Sequence, residues 1–195
     1  MNLQLRLGLV LLAATFSVAS LGADSPELGG NGPSQCAADA IKAFAGTDGA
    51  FLAAGQLKPS GDKENLASLL QFPTEIVVVL NLTGAQLKQA FEHSVSVYPQ
   101  PNKSFLQISG FVVTFSKEAT PYSRITSVTV NGANLDEAKT YTVAMPSSLA
   151  RGSLGFFRVW DKIKPTKSFD GQTLESVLKG KPSSPSPSRW LAQAR

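Results

Sequence analysis

The clearest hydrophobic pattern in this chain runs from Phe72 to Val95, where a nearly unbroken apolar stretch passes directly into a helical repeat. Ile76 to Leu82 is rich in β-branched residues, which predicts a strand covered on both faces. Leu87, Ala90, Phe91, Ser94 and Val95 then recur at i, i+3, i+4, i+7 and i+8, one face of a helix packed on a sheet. Thr83 stands before that helix with Gln86 three residues on, the spacing of a capping box, and Pro99 ends it by Tyr98.

The same reading elsewhere gives a mixed set of elements. Gly49 to Ala54 reads as a buried strand stopping at Gly55, with Lys58 to Asp62 as the following loop. Phe111 to Phe115, Ile125 to Val130 and Thr140 to Met145 are further strands, and Asn131-Gly132 marks a tight turn after the second. Short helices are expected over Ala37 to Phe44, Glu64 to Leu70 and Thr173 to Leu178.

The ends differ in character. Arg6 is the only charge before an apolar run from Leu7 to Val18, and small residues Ala19, Ser20, Gly22 and Ala23 follow. That is the pattern of a secretory leader cleaved after Ser20 or Ala23, with an apolar run shorter than the ~20 residues of a membrane span. Residues 1–23 are thus expected to be a signal peptide, 24–35 a Gly/Pro-rich linker, 36–180 the folded domain and 181–195 a solvated Ser/Pro-rich tail in which Trp190 has no core to join. The expected product is exported, periplasmic or extracellular, without a membrane segment after cleavage.

Composition narrows the chemistry. Eighteen Lys and Arg against 14 Asp and Glu are scattered along the chain, without the basic stripe that nucleic-acid binding requires. Cys36 is the only cysteine, so no intramolecular disulfide can form, and it lies too far from the leader for lipid attachment. His93 is the only histidine, which excludes a dimetal centre built from several His ligands. Gly152-Ser153-Leu154-Gly155 lacks the Gly two residues before Ser that a nucleophile elbow uses. No catalytic residue, metal ligand or cofactor is expected. Asn81 and Asn102 begin glycosylation sequons, the first expected to be buried, and Lys58, Lys63 and Lys103 are candidates for a weak anion-binding rim.

Several ordered blocks carry a family resemblance: Ala50 to Gly55, the strand and helix through His93-Ser94-Val95, Phe105 to Gly110, Lys139 to Ala144, and Leu149 to Phe156. Over about residues 37–165 the chain resembles the C-terminal, substrate-recognising domain of 5′-nucleotidases, whose chemistry belongs to a separate N-terminal metallophosphoesterase domain. The resemblance implies an α/β (α+β) fold, a single-domain layered sandwich of that type. It implies a nucleoside, nucleotide or other small aromatic molecule as ligand, and a separate metallophosphoesterase as partner.

The residues that hold a nucleoside in the family are altered here. The family's Asn-Ala-Gly-Gly-Ile-Arg corresponds to Ala53 through Lys58, so the Asn becomes Ala53 and the Arg fork becomes the point charge of Lys58. The resemblance puts the two aromatics that sandwich the base near Val77 and at Ser148, and the Asp that holds the ribose at Leu154. Phe156 or Phe157 restores one stacking face if the alignment slips by a few residues. Neither Val77 nor Ser148 can stack, and Leu154 cannot accept the ribose hydrogen bond. Lys58, Gly110 and Phe156 remain as candidate ligand-binding residues. The leading expectation is an exported, stand-alone module, non-catalytic by itself and linked by family to nucleotide catabolism. Its rivals are the recognition half of a split nucleotidase acting in trans, and a structural or interaction module whose pocket is filled.

Overall fold

The computed structural model describes residues 18–20 and 25–194. Most of the expected leader lies outside them, apart from a short strand β1 (Val18–Ser20). The main elements that follow are α1 (Gly32–Ala45), β2 (Gly49–Ala53), β3 (Ile76–Thr83), α2 (Gly84–Val95), β4 (Leu106–Ser109), β5 (Phe111–Ser116), β6 (Ile125–Val130) and β7 (Ala133–Asn134). After these come β8 (Thr140–Pro146), α3 (Ser147–Ala150), α4 (Phe157–Trp160), β9 (Lys167–Thr173), α5 (Leu174–Leu178) and β10 (Trp190–Gln193). Between β2 and β3, the expected helix over Glu64 to Leu70 is a single 3-10 turn, Leu66–Leu69.

These strands form two mixed sheets, with orders β4-β2-β8-β3-β9 and β1-β10-β5-β6-β7. The central strands of the first sheet are covered on both faces, and their side chains alternate between two cores, while the edge strand β9 is largely exposed. Phe51, Ala53, Val78, Leu80, Val143 and Met145 point to a core shared with α2 and the second sheet. Ala50, Leu52, Val77 and Ala144 point the other way, to Ile41 of α1 and to Leu174, Val177 and Leu178 of α5. This back-to-back burial explains the near-continuous apolar run of β3.

The strand-to-helix unit folds as its sequence predicts. Thr83 Oγ1 accepts from Gln86 N at 3.2 Å, and Gln86 Oε1 accepts from Thr83 N at 2.9 Å, so both orphan amides at the start of α2 are satisfied. Asn131 and Gly132 both take positive φ, 48° and 86°, forming the turn between β6 and β7.

Both flanks of the domain are more ordered than their composition suggests. α1 begins at Gly32, five residues before the expected Ala37, because Asn31 caps it through Ser34 N and Pro33 fits its first turn. Upstream of it, Gln107 Nε2 donates to the carbonyls of Pro26 and Gly29, tying the Gly/Pro-rich segment to β4.

The expectation of a free C-terminal tail is overturned. Ser183 N donates to Lys63 O at 2.6 Å, Leu66 N donates to Lys181 O at 2.9 Å, and Arg189 pairs with Asp39 at 2.6 Å. β10 then lies parallel to β5 within the second sheet, and Trp190 is fully buried with Nε1 donating to Leu106 O. The Pro/Ser run is a strap that crosses α1 and delivers this indole to the main core.

Candidate functional site

Of the positions that the family resemblance assigns to a nucleoside, Ala53, Val77, Ser148 and Leu154 are taken up by the protein's own packing and hydrogen bonds, whereas Lys58 is exposed. Gln56 follows β2 and stands where the family has its second Gly; it is 3% exposed. Its Oε1 accepts from Ala53 N at 3.1 Å, and its Nε2 donates to Ser148 Oγ at 3.1 Å. Ser148, at the start of α3, donates its hydroxyl to Glu75 Oε1 at 2.7 Å and its backbone N–H to Glu75 Oε2 at 2.8 Å. Ala53, Gln56, Ser148 and Glu75 therefore form one continuous hydrogen-bonded chain. The Ser148 hydroxyl has a single donor, and it is directed at Glu75, while its oxygen accepts from Gln56.

Val77 is fully buried in the core against α1 and α5. Leu154 sits in a turn with φ 56°, and its carbonyl accepts from His93 Nε2 at 2.9 Å and from Ser104 Oγ at 2.7 Å. Because a carbonyl only accepts, Nε2 is inferred to carry the ring proton. A Cβ built on Gly55 would lie 3.1 Å from Leu154 Cδ2, so this leucine fills the space above the glycine. His93 thus clamps the turn in which the family carries its ribose-binding Asp.

The three candidate ligand residues are not brought together. Phe156 is fully buried, stacked on Trp160 at 4.7 Å and 7°, with the His93 ring edge-on at 4.8 Å. Neither ring face is open to a ligand. Gly110 has φ 82°, and a Cβ there would collide with the Asp48 carbonyl, so its requirement for glycine comes from packing. Lys58 is exposed, with its backbone N–H bonded to Leu69 O. Lys63 and Lys103 are likewise exposed.

Sequence reasoning missed the half-buried Glu75 and the buried Gln56, whose polar side chains gave no sign of burial. The one available signal was Gln56 itself, a bulky residue where the family keeps a glycine. The sequons also resolve differently from expectation. Asn81 is exposed, not buried, whereas Asn102 Nδ2 is committed to the carbonyls of His93 and Ser94. Among the described residues, no three of His, Cys, Asp and Glu stand together as a metal set, and no helix is long and apolar enough to cross a membrane.

The fold is a mixed α/β module of two sheets with helices. The chain belongs to the 5′-nucleotidase C-terminal domain family, whose model matches residues 18–161. It is 36% identical to mouse (Mus musculus) 5′-nucleotidase over 115 residues, which is 55% of this chain and 20% of that protein. A 5′-nucleotidase-related protein of Glossina morsitans morsitans is 38% identical over 128 residues, 59% of this chain and 23% of that protein. The chain therefore spans between a fifth and a quarter of the length of these relatives.

Among solved structures, a 5′-nucleotidase precursor from Thermus thermophilus matches with a TM-score of 0.67 at 23% identity, over 79% of this chain and 32% of that one. The sulfate thiohydrolase SoxB of a Thermus species matches at 0.54 with 20% identity, over 83% of this chain and 32% of that one. Both show the fold alone, and together they show one scaffold under proteins named for different activities.

Proposed function

We propose that this region is a non-catalytic binding and accessory module on the nucleotidase recognition scaffold, exported to a periplasmic or extracellular compartment and tied by family to nucleotide catabolism. The observation that supports it best is the filling of the inherited ligand positions from within. Val77 lies in the core, Ser148 is bonded to Glu75 and Gln56, and Leu154 packs over Gly55. Base stacking contributes ~1–3 kcal/mol per contact. Losing two rings and a ribose carboxylate is large against the ~8 kcal/mol of micromolar affinity.

The reaction class also argues for this reading. Phosphoester hydrolysis on a dimetal centre needs several converging ligands. The one histidine of these 195 residues is bonded to Leu154 instead. Export is supported by Arg6 followed by the apolar Leu7 to Val18, and by relatives that include a snake venom 5′-nucleotidase of Macrovipera lebetinus, 38% identical over 101 residues.

Calorimetric titration with adenosine and AMP, together with phosphate release from AMP in zinc or manganese, tests the proposal. Neither hydrolysis nor binding tighter than ~1 mM is expected. Micromolar binding of adenosine overturns it. So does hydrolysis that appears on mixing with a metallophosphoesterase domain, which would make this region the recognition half of a split enzyme.

A further inference from the structure

α2 has a second stripe, beside its apolar face and next to the start of β6. Ala85, Lys88, Gln89 and Glu92 repeat at i, i+3, i+4 and i+7 and form one wall of an open recess of about 370 Å³. Arg158 and Val159 of α4 face them, and Tyr122, from the loop between β5 and β6, stands at the rim. None of these residues belongs to the inherited nucleoside positions, and the volume lies in the range of small-molecule sites.

The charges in this recess are unequally committed. Glu92 is 8% exposed, and its two oxygens accept from Arg124 N at 3.0 Å and Ile125 N at 2.8 Å. Lys88 is paired with Glu137 at 2.7 Å. Arg158 has no carboxylate partner among the described residues; its guanidinium lies 5.6 Å from the centre of the Phe157 ring. In formal charge Lys88 and Arg158 balance Glu137 and Glu92, but Arg158 is the lining cation whose planar fork has no carboxylate on it, and that fork suits a carboxylate.

The apolar part of the recess is equally defined. Val159 and Ala85 offer aliphatic surface, and Tyr122 adds a ring that is 57% exposed. Tyr122 holds φ 63°, a left-handed conformation that costs a non-glycine residue energy, so the loop presents this ring at the expense of local strain.

We propose that the recess between α2 and α4 binds a small aromatic carboxylate, its acid group on Arg158 and its ring between Val159 and Tyr122. This deepens the binding-module reading and rests on it, because it supplies a site for the ligand that the old positions no longer hold. Gln89 adds an amide donor and acceptor for a polar ring substituent.

The test is a titration of the full chain with indole-3-carboxylate, followed by amide chemical shifts, with indole-3-carboxamide as the uncharged control. Shifts confined to residues 85–93, 122 and 158–159 are expected, with affinity falling ~10-fold or more for the amide and for Arg158→Gln, as loss of a charged hydrogen bond predicts. Tyr122→Gly should weaken binding while leaving the melting temperature equal or higher, since glycine tolerates the same φ. Silence of these resonances up to ~10 mM acid overturns the inference. Equal binding by wild type and Arg158→Gln does so too. In the same spectra, adenosine-induced shifts at Gln56, Val77 and Ser148 would overturn the proposed function without moving the recess, so the two failures are distinguishable.

Discussion

Asp48 and Glu75 are two carboxylates that hold the first sheet together at opposite ends, and each makes a separate prediction. Burial pushes the Asp48 carboxyl up, but the backbone N–H and hydroxyl of Thr142, with Lys139 and Lys42 nearby, more than offset it and hold it below its ordinary 3.8. A carboxylate lowered by folding stabilises the protein above its unfolded pKa, and that contribution disappears as pH falls through the folded value. Asp48→Asn should therefore melt lower than wild type at neutral pH, with the gap closing below about pH 4. A calorimetric gap that is constant from neutral to strongly acidic pH would contradict this. Glu75→Ala leaves the Ser148 N–H without its acceptor and should cost about 1–3 kcal/mol in urea unfolding. A loss no larger than that of an exposed carboxylate would show that Ser148 is held by something else. Glu75 could not be recognised from the chain because nothing local distinguishes a glutamate that reaches an α3 amide 73 positions away from one in water.

At the scale of elements, legibility followed local signal. β3, α2 and β6 carry strong periodicity or a cap, and their boundaries lie within a residue of expectation at all but the C-terminal end of α2. β9 and β10 escaped notice for opposite reasons. β9 is an edge strand with a polar surface, Lys-Ser-Phe-Asp-Gly-Gln-Thr, whose pairing with β3 is specified by tertiary contacts and not by alternation. β10 has four residues after a Pro/Ser run, and its partner β5 lies 77 positions earlier in the chain. Its indole packs 4.7 Å from Phe105 and 5.9 Å from Phe91. Trp190→Ala should consequently cost about 3–5 kcal/mol, measured by chemical denaturation, a penalty expected of a core tryptophan and not of a tail. A change below ~0.5 kcal/mol would mean that the strap does not deliver β10 to the core in solution.

The whole molecule is organised by one sheet with a core on each face, so neither core can persist without the strands it shares with the other. Unfolding followed by tryptophan fluorescence, which reports Trp160 and Trp190 in the core with α2, should coincide with unfolding followed by far-UV circular dichroism. Separate midpoints would show that the α1 and α5 layer melts independently. The sequence by itself determined the family scaffold and the strand-to-helix unit, because residue identity and short-range periodicity carry that information. The resemblance added the expectation that Val77, Ser148 and Leu154 replace the rings and carboxylate of a nucleoside site. Only the tertiary structure decided how those positions are occupied. The Gln56–Ser148–Glu75 chain, the inward turn of Leu154, the burial of Phe156 and Trp190, and the placing of Arg158 opposite α2 all depend on distances between residues far apart in sequence, which no local pattern encodes.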